Sequence, residues 1–170
     1  MRYISLFAIF LFLACNSTPD GKTELTSLEK TTTSPFTDTV KLDTFKVSWQ
    51  GTTTKGSAIS LKIISHKGEE IYKASIKVDE ILKADEKLKT EADRLKYLKN
   101  EINYFFDDEH FLWPAVLPTE KADKHVPDKN FHEELKQTQL NGFNYRSGKE
   151  SKVYIAWSVK ENKVKVYYQL

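Results

Sequence analysis

The chain has 170 residues, of which 39% are hydrophobic and 29% are charged, and this length suits one globular domain with its own core. Its 26 basic and 24 acidic residues nearly cancel, so the sequence lacks the basic stripe with which nucleic-acid-binding domains contact phosphates. We therefore expect no nucleic-acid partner. The chain contains one cysteine, Cys15, which excludes an intramolecular disulfide and a zinc site built from several cysteines.

Residues 1–14 have the pattern of a signal peptide. Arg2 supplies a positive charge near the start, and an apolar run follows over residues 4–13. A helix that crosses a bilayer needs about 20 apolar residues, so this run is too short to span a membrane. The small residue Ala14 then precedes Cys15. We expect export of the chain and cleavage after Ala14.

The stretch Leu11-Phe12-Leu13-Ala14-Cys15 resembles the lipobox of bacterial lipoproteins. In that family the cysteine thiol receives a diacylglycerol, a peptidase cuts before the cysteine, and the new amine is acylated, palmitate being one such acyl group. The resemblance implies that lipid on Cys15 holds the protein on a membrane. Lipoproteins kept at the inner membrane often have Asp after the cysteine, whereas this chain has Asn16. The resemblance therefore favours the outer membrane if the cell is Gram-negative. Two alternatives are an ordinary cleaved signal peptide and an uncleaved N-terminal helix.

Residues 15–42 are predicted to form a flexible tether that carries the lipid at its first residue. The segment is rich in Ser and Thr and includes the low-complexity run Thr31-Thr-Thr-Ser-Pro35. Such a composition buries too little apolar surface to offset the entropy lost on ordering. The alternative is that residues 36–40 pair as an extra edge strand. The globular domain is predicted over residues 43–170.

One group of strands is predicted at the start of this domain. Phe45, Val47 and Trp49 alternate with polar residues, which is typical of a half-buried strand. Two further strands follow, and a two-residue turn between them at Lys67-Gly68 places their apolar side chains on one face. The predicted cross-strand pairs are Ile59 with Ile76, Leu61 with Ala74, and Ile63 with Tyr72.

A second group of strands is predicted at the C-terminal end. Ser151 to Val159 and Lys163 to Leu170 form a hairpin if Glu161-Asn162 is the turn, and a further strand begins around Phe143 and Tyr145. The predicted hairpin pairs are Val159 with Val164, Trp157 with Val166, Ile155 with Tyr168, and Val153 with Leu170. The domain thus begins and ends with a three-stranded antiparallel meander.

The middle of the domain is predicted to be helical. Asp79 is a candidate cap for a short helix, and Thr90 with Asp93 has the spacing of a capping pair. Another helix is predicted over residues 128–138 and is expected to end at Gly142. The residues predicted to face inward from these helices are Ile81, Leu82, Leu95, Leu98, Ile102, Phe105, Phe131 and Leu135. The prediction is an α+β fold, with an antiparallel sheet of about six strands and helices packed on one face.

Residues 107–118 are the segment least explained by this fold. They combine acidic residues with His110, Phe111 and Trp113 and with two prolines. Aromatic side chains on surface loops often anchor binding partners, so one interpretation is a binding loop formed by Trp113, His110 and Phe111. The interpretation that the sequence favours is a helix exit whose acidic residues face water and whose Phe111, Leu112 and Trp113 close the core.

The C-terminal hairpin offers a second candidate surface. Tyr154, Tyr167, Lys165 and Gln169 lie on its face opposite the predicted apolar one. This mixture of aromatic and polar groups suits contact with a protein partner or a sugar. The alternative is a solvated sheet face with ordinary cross-strand pairs.

No catalytic or metal-binding motif stands out. His110, His125 and His132 have no spacing typical of a compact metal site, and neither a Gly-x-Ser-x-Gly motif nor a phosphate-binding loop is present. We therefore predict no metal or other cofactor. Enzyme status stays open, and the sequence favours a non-enzymatic binding module of the cell envelope, with an envelope protein or glycan as partner. The alternatives are an envelope hydrolase that uses paired carboxylates and an inhibitor or immunity-type protein.

Overall fold

The computed structural model describes residues 26–83 and 87–170. The predicted signal peptide, Cys15 and residues 16–25 of the predicted tether lie outside the described residues. Within these ranges the strands form two four-stranded antiparallel sheets. The first sheet contains β1 (Thr26–Pro35), β2 (Leu42–Gly51), β3 (Ala58–Ile64) and β4 (Glu70–Lys77), in that order. The second contains β5 (Phe111–Leu112), β6 (Gly142–Arg146), β7 (Lys152–Ser158) and β8 (Lys163–Gln169).

Helices connect and cover the two sheets. The helix α1 directly follows β4, α2 lies between the sheets in the chain, and α3 precedes β6. A short 3-10 turn at Asp108–His110 leads into β5. The helical bounds are Val78–Leu82 for α1, Glu91–Tyr104 for α2 and Lys129–Thr138 for α3.

The α+β class is confirmed, but the predicted arrangement of one six-stranded sheet with helices on one face is wrong. Each meander gains a fourth strand, and the two sheets are separate. Leu98 of α2 joins the main core with both sheets, whereas Leu135 of α3 packs with Ala156 and Tyr167 in a smaller core. The neighbours Ile155 and Ala156 on β7 point to opposite faces, and both are fully buried. The second sheet therefore needs cover on both sides.

The predicted tether over residues 15–42 is wrong from Thr26 onward. β1 pairs with the whole of β2, from Thr26 opposite Gly51 to Pro35 opposite Leu42. The threonines of this segment are β-branched and suit an extended backbone. Phe36, which directly follows β1 in the chain, is buried in the main core. The alternative of a strand over residues 36–40 is also wrong, since these residues form bends.

The predicted register of β3 and β4 is confirmed. Ile59 lies opposite Ile76, and the remaining two predicted pairs are also observed. The predicted two-residue turn at Lys67-Gly68 is wrong, because the register shifts after Ile63 and residues 65–69 connect the two strands. Gly68 adopts a positive φ of 85° in the turn, a conformation that favours glycine. The alternation of apolar residues was sufficient to predict these pairs because one face of this hairpin packs on the core.

The predicted register of the C-terminal hairpin is wrong. Trp157 lies opposite Val164, and Ile155 lies opposite Val166. Residues 159–162 all belong to the turn, so the turn is longer than the predicted two residues.

A buried carboxylate from α3 organises this longer turn. Glu134 is 4% exposed, and it accepts hydrogen bonds from the Ser158 hydroxyl and from the Lys160 backbone N–H, each at 3.1 Å. The Ser158 hydroxyl oxygen in turn accepts a hydrogen bond from the Glu161 N–H at 3.1 Å. These bonds come from a distant part of the chain, so the strand pattern alone could not reveal them.

The helix ends agree with the predictions in part. The capping pair at the start of α2 is confirmed, since the Thr90 hydroxyl accepts from the Asp93 N–H at 3.1 Å and the Asp93 carboxylate accepts from the Thr90 N–H at 3.2 Å. Asp79 does not cap α1; its carboxylate accepts a hydrogen bond from the Gly56 N–H at 2.9 Å. Asp128 caps α3 by accepting from two backbone N–H groups.

Gly142 does not end α3, contrary to the prediction. Gln139 ends this helix in the left-handed conformation, with a φ of 53°. Gly142 instead begins β6, where an added Cβ would lie 2.7 Å from the Tyr167 hydroxyl and 3.0 Å from the Ala115 Cβ. The glycine is needed for this close approach rather than for a helix end.

Phe143 lies at the centre of the aromatic part of the main core. Its ring centroid is 5.1 Å from that of Phe45 on β2, 5.0 Å from that of Phe111 and 5.9 Å from that of Phe106. Such ring pairs add to the stabilisation from burying the apolar surface. Phe143 therefore connects the second sheet to the first.

Phe143→Ala is expected to lower the free energy of unfolding by about 3–5 kcal/mol, because it removes a fully buried ring and leaves a cavity. The control is Val159→Ala at a side chain that is 56% exposed, where a change below about 0.5 kcal/mol is expected. Urea denaturation followed by circular dichroism measures both. Equal, small losses in the two variants would contradict the central position of Phe143.

Candidate functional site

The predicted binding segment, residues 107–118, runs between two pockets. Its first part forms the 3-10 turn, and Phe111 and Leu112 pair with Phe143 and Gly142 of β6. His110 lines one pocket, whereas Leu112 and Ala115 line the other. The segment thus contributes to two possible binding sites.

The three predicted site residues have different surroundings. Phe111 belongs to the aromatic core, with its ring centroid 5.3 Å from that of Phe45. Trp113 is 59% exposed and does not close the core. The His110 side chain is 14% exposed, and its ring stacks on Phe105 with an angle of 12° between the planes. The structure therefore does not bring these three side chains together in one site.

The first pocket, which we call the His110 pocket, has a volume of about 180 Å³. It lies among α1, α2, the 3-10 turn and the strands β6 and β7. Apolar rings and charged groups of both signs meet there. The lining residues are Ile81, Glu101, Tyr104, Phe105, Glu109, His110, Tyr145, Arg146 and Lys152.

Asn144 fixes the orientation of His110. The side-chain NH₂ of Asn144 donates to the backbone carbonyls of Glu109 and His110, both at 3.2 Å. The His110 Nδ1 lies 3.1 Å from the Asn144 backbone oxygen and 3.3 Å from its side-chain oxygen. A backbone carbonyl only accepts hydrogen bonds, so Nδ1 carries the proton in the neutral ring and Nε2 is left as an acceptor. The Glu109 carboxylate lies 3.8 Å from Nε2.

Arg146 is held by partners on α2. Its guanidinium donates to the Glu101 carboxylate at 2.7 Å and to the Tyr97 hydroxyl at 3.1 Å. Burial alone lowers the pKa of Arg146, but the Tyr97 hydrogen bond and the Glu101 charge outweigh it and raise this pKa above its usual value. Lys152 lines the same pocket, and among the described residues it forms no ion pair. The lysine is thus the cation available to a ligand.

The second pocket, which we call the tyrosine pocket, has a volume of about 340 Å³. Tyr154 packs edge-to-face against Tyr167 and Tyr168, with ring centroids 6.1 Å and 5.3 Å away. The face of the C-terminal hairpin that carries them is therefore covered in part rather than fully solvated. The lining residues are Leu112, Ala115, Glu120, Lys121, Asp123, Tyr154, Tyr167 and Tyr168.

The histidines do not form a metal site within the described ranges, where no three His, Cys, Asp or Glu side chains are placed to share an ion. The His125 Nδ1 bonds the Gln169 carbonyl at 3.1 Å. His132 is 1% exposed, and neither of its ring nitrogens has a hydrogen-bond partner in the described part of the chain. Within residues 26–83 and 87–170, moreover, no helix has both the length and the apolar character needed to cross a membrane.

Sequence reasoning missed Asn144 and the pairing of Arg146 with Glu101. Asn144 lies between two aromatic residues on β6, a position that alternation assigns to a solvated face. Glu101 and Arg146 are 45 residues apart in the chain. The only sequence signal for the pair is that Arg146 is one of few arginines, and arginine suits partly buried ion pairs better than lysine does.

No protein family, curated protein or solved structure matches this chain.

At pH values where the histidines are neutral, we expect His110 to be the Nδ1–H tautomer, because Nδ1 faces two oxygen acceptors. Two-bond ¹H–¹⁵N correlation spectra of the imidazole rings identify the tautomer directly. His132, whose ring nitrogens have no hydrogen-bond partner among the described residues, serves as the internal reference. Asn144→Ala keeps the backbone oxygen that lies 3.1 Å from Nδ1 and is therefore expected to retain this tautomer. It removes the side-chain amide that donates to the Glu109 and His110 carbonyls, which is expected to cost about 1 kcal/mol of stability. A wild-type His110 protonated only on Nε2 would contradict this geometry.

Proposed function

We propose that the protein is a lipid-anchored, non-enzymatic binding module of a bacterial cell envelope, located at the outer membrane if the cell is Gram-negative. The lipobox-like stretch ending at Cys15 supports the anchor, and the membrane is the partner of the acyl chains. Residues 16–25 would separate the lipid from β1. The described domain then carries the binding sites.

The observation that carries the binding function is the ordered set of polar groups in the His110 pocket. Asn144 orients the His110 ring, and Glu101 holds Arg146 in place. Groups fixed in this way lose little entropy when a ligand binds, which favours affinity. Small-molecule sites commonly combine such placed polar groups with apolar walls, and Ile81 and Phe105 supply those walls here.

The charges suit a small ligand with an anionic group. Arg146 and Glu101 neutralise each other, and the Glu109 side chain is 80% exposed at the rim. The Lys152 ammonium is then the charge that a ligand would meet. A carboxylate or similar group could pair with Lys152 while an apolar part contacts Phe105.

The alternative of a hydrolase with paired carboxylates has one observation in its favour. Glu101 and Glu109 line the same pocket. However, the Glu101 carboxylate is 2.7 Å from the Arg146 guanidinium, and this ion pair occupies the group that would have to act as acid or nucleophile. A binding role therefore accounts better for the pocket.

Cys15→Ser is expected to abolish incorporation of labelled palmitate and to leave an uncut precursor, because serine has no thiol to receive the diacylglycerol. Labelling of cells and fractionation of their membranes measure both effects. Ser17→Ala, two residues beyond the cysteine, is the control and should be labelled and processed normally. Unchanged processing and membrane association of Cys15→Ser would contradict the lipid anchor.

Lys152→Met is expected to weaken binding of small carboxylates to the His110 pocket at least about tenfold, since a charge-assisted hydrogen bond contributes roughly 1.5–3 kcal/mol. A titration with short-chain and aromatic monocarboxylates, followed by amide shifts of His110 and Arg146 in NMR spectra, gives the affinities. Lys55→Met, at an exposed loop residue, is the matched control. Carboxylate binding that survives in Lys152→Met, or no binding by the wild type, would contradict the proposed ligand class.

A further inference from the structure

The tyrosine pocket offers aromatic rings and hydroxyl groups in one small space. Tyr154 stands nearly perpendicular to both neighbours, at 72° to Tyr167 and 86° to Tyr168. Tyr154 and Tyr168 are half-buried, so parts of both rings stay accessible, and Tyr167 is buried. Rings at different angles can contact more than one side of a compact ligand that has apolar C–H faces.

Charged groups of both signs surround these rings. Glu120 and Asp123 supply carboxylates, and Lys121 supplies an ammonium group. The carboxylate of Asp123 accepts hydrogen bonds from the His125 N–H at 2.8 Å and from the Tyr168 hydroxyl at 3.1 Å. These two hydrogen bonds lower the pKa of Asp123, and the bond from the His125 backbone N–H has the larger effect. The Asp123 carboxylate therefore stays ionised near neutral pH.

This mixture of charges suits an uncharged ligand. An anion would face Glu120 and Asp123, and a cation would face Lys121. A ligand rich in hydroxyl groups can instead donate to the carboxylates and accept from the lysine, which gives charge-assisted hydrogen bonds without a net charge of its own. The rings of Tyr154 and Tyr168 would contact its C–H face.

The floor of the pocket also has an unused polar group. The Tyr167 hydroxyl is buried and has no hydrogen-bond partner among the described residues. Burial raises the pKa of Tyr167, and the negative charge of Glu120 raises it further. The hydroxyl is therefore neutral. An unpaired buried hydroxyl is costly to a fold. The absence of a side chain at Gly142 leaves room for this one, since a Cβ added there would lie 2.7 Å from the Tyr167 hydroxyl.

We propose that the tyrosine pocket binds a pyranose residue of an uncharged glycan, with the sugar ring against Tyr154 and Tyr168 and its hydroxyl groups on Glu120, Lys121 and Asp123. This site goes beyond the anion-binding role of the His110 pocket and does not depend on it. On this proposal, a glycan binds the second sheet on the face that packs against α3.

The test uses the full chain in phosphatidylglycerol nanodiscs, with empty nanodiscs as a blank. The probes are three uncharged trisaccharides: chitotriose, cellotriose and maltotriose. Saturation-transfer NMR detects binding, and titration gives the affinity. We expect at least one trisaccharide to bind saturably, with little change in affinity between low and high salt.

Tyr154→Leu removes an aromatic face but keeps an apolar side chain, and it is expected to weaken binding about three- to tenfold, the loss of one ring contact. Glu120→Gln changes an exposed residue, so the variant is expected to fold normally. It is expected to weaken binding about fivefold, because it replaces a charged hydrogen-bond acceptor with a neutral one. Tyr104→Leu is the matched control, since this tyrosine is 63% exposed and lines the His110 pocket instead.

Loss of sugar binding in Tyr154→Leu and Glu120→Gln, but not in Tyr104→Leu, supports the proposal whatever happens to carboxylate binding at Lys152. The absence of binding by all three trisaccharides would overturn it. So would binding that both variants retain, or saturable binding of tetramethylammonium in place of any sugar, because that would define a cation site.

Discussion

The contact between Phe45 and Phe143 is the interaction on which the rest of the structure depends. The two ring centroids are 5.1 Å apart, and each ring belongs to a different sheet. Phe143 also packs near the His110 ring, with 6.3 Å between the two ring centroids. The same side chain therefore joins the sheets and supports the wall of the His110 pocket. With no disulfide available, since Cys15 is the chain's one cysteine, this apolar core must provide the stability itself.

The second sheet is covered on both faces, and this explains why both pockets lie on it. One face meets the first sheet and α2, and the other meets α3 and the chain around Ala115. Where the cover is incomplete, strand residues such as Arg146 and Tyr154 reach the surface. Side chains on strands are positioned more rigidly than those on loops, which suits binding. Trp113 is exposed and lies in the chain between His110 of one pocket and Ala115 of the other.

Much of the local structure could be predicted from sequence, and its limits have physical causes. Alternation alone gave the register of β3 with β4, and the Thr90–Asp93 spacing gave the start of α2, because both depend on nearby residues. β1 was missed because its polar composition hides a strand that is held by pairing with β2. The C-terminal register failed because Glu134, a distant side chain, determines the turn. For the candidate sites, the sequence pointed to His110 as a candidate, whereas Asn144 and the partners of Arg146 depend on tertiary contacts.

Hydrogen exchange tests most directly whether the two sheets share one core. The amides of β2 and β7, next to the fully buried Val47 and Ile155, should exchange with the same opening free energy and the same dependence on urea, because both require global unfolding. If β7 opened with a clearly lower free energy while β2 stayed protected, the sheets would be independent units. The contact between Phe45 and Phe143 could then not be the interaction on which both sheets depend.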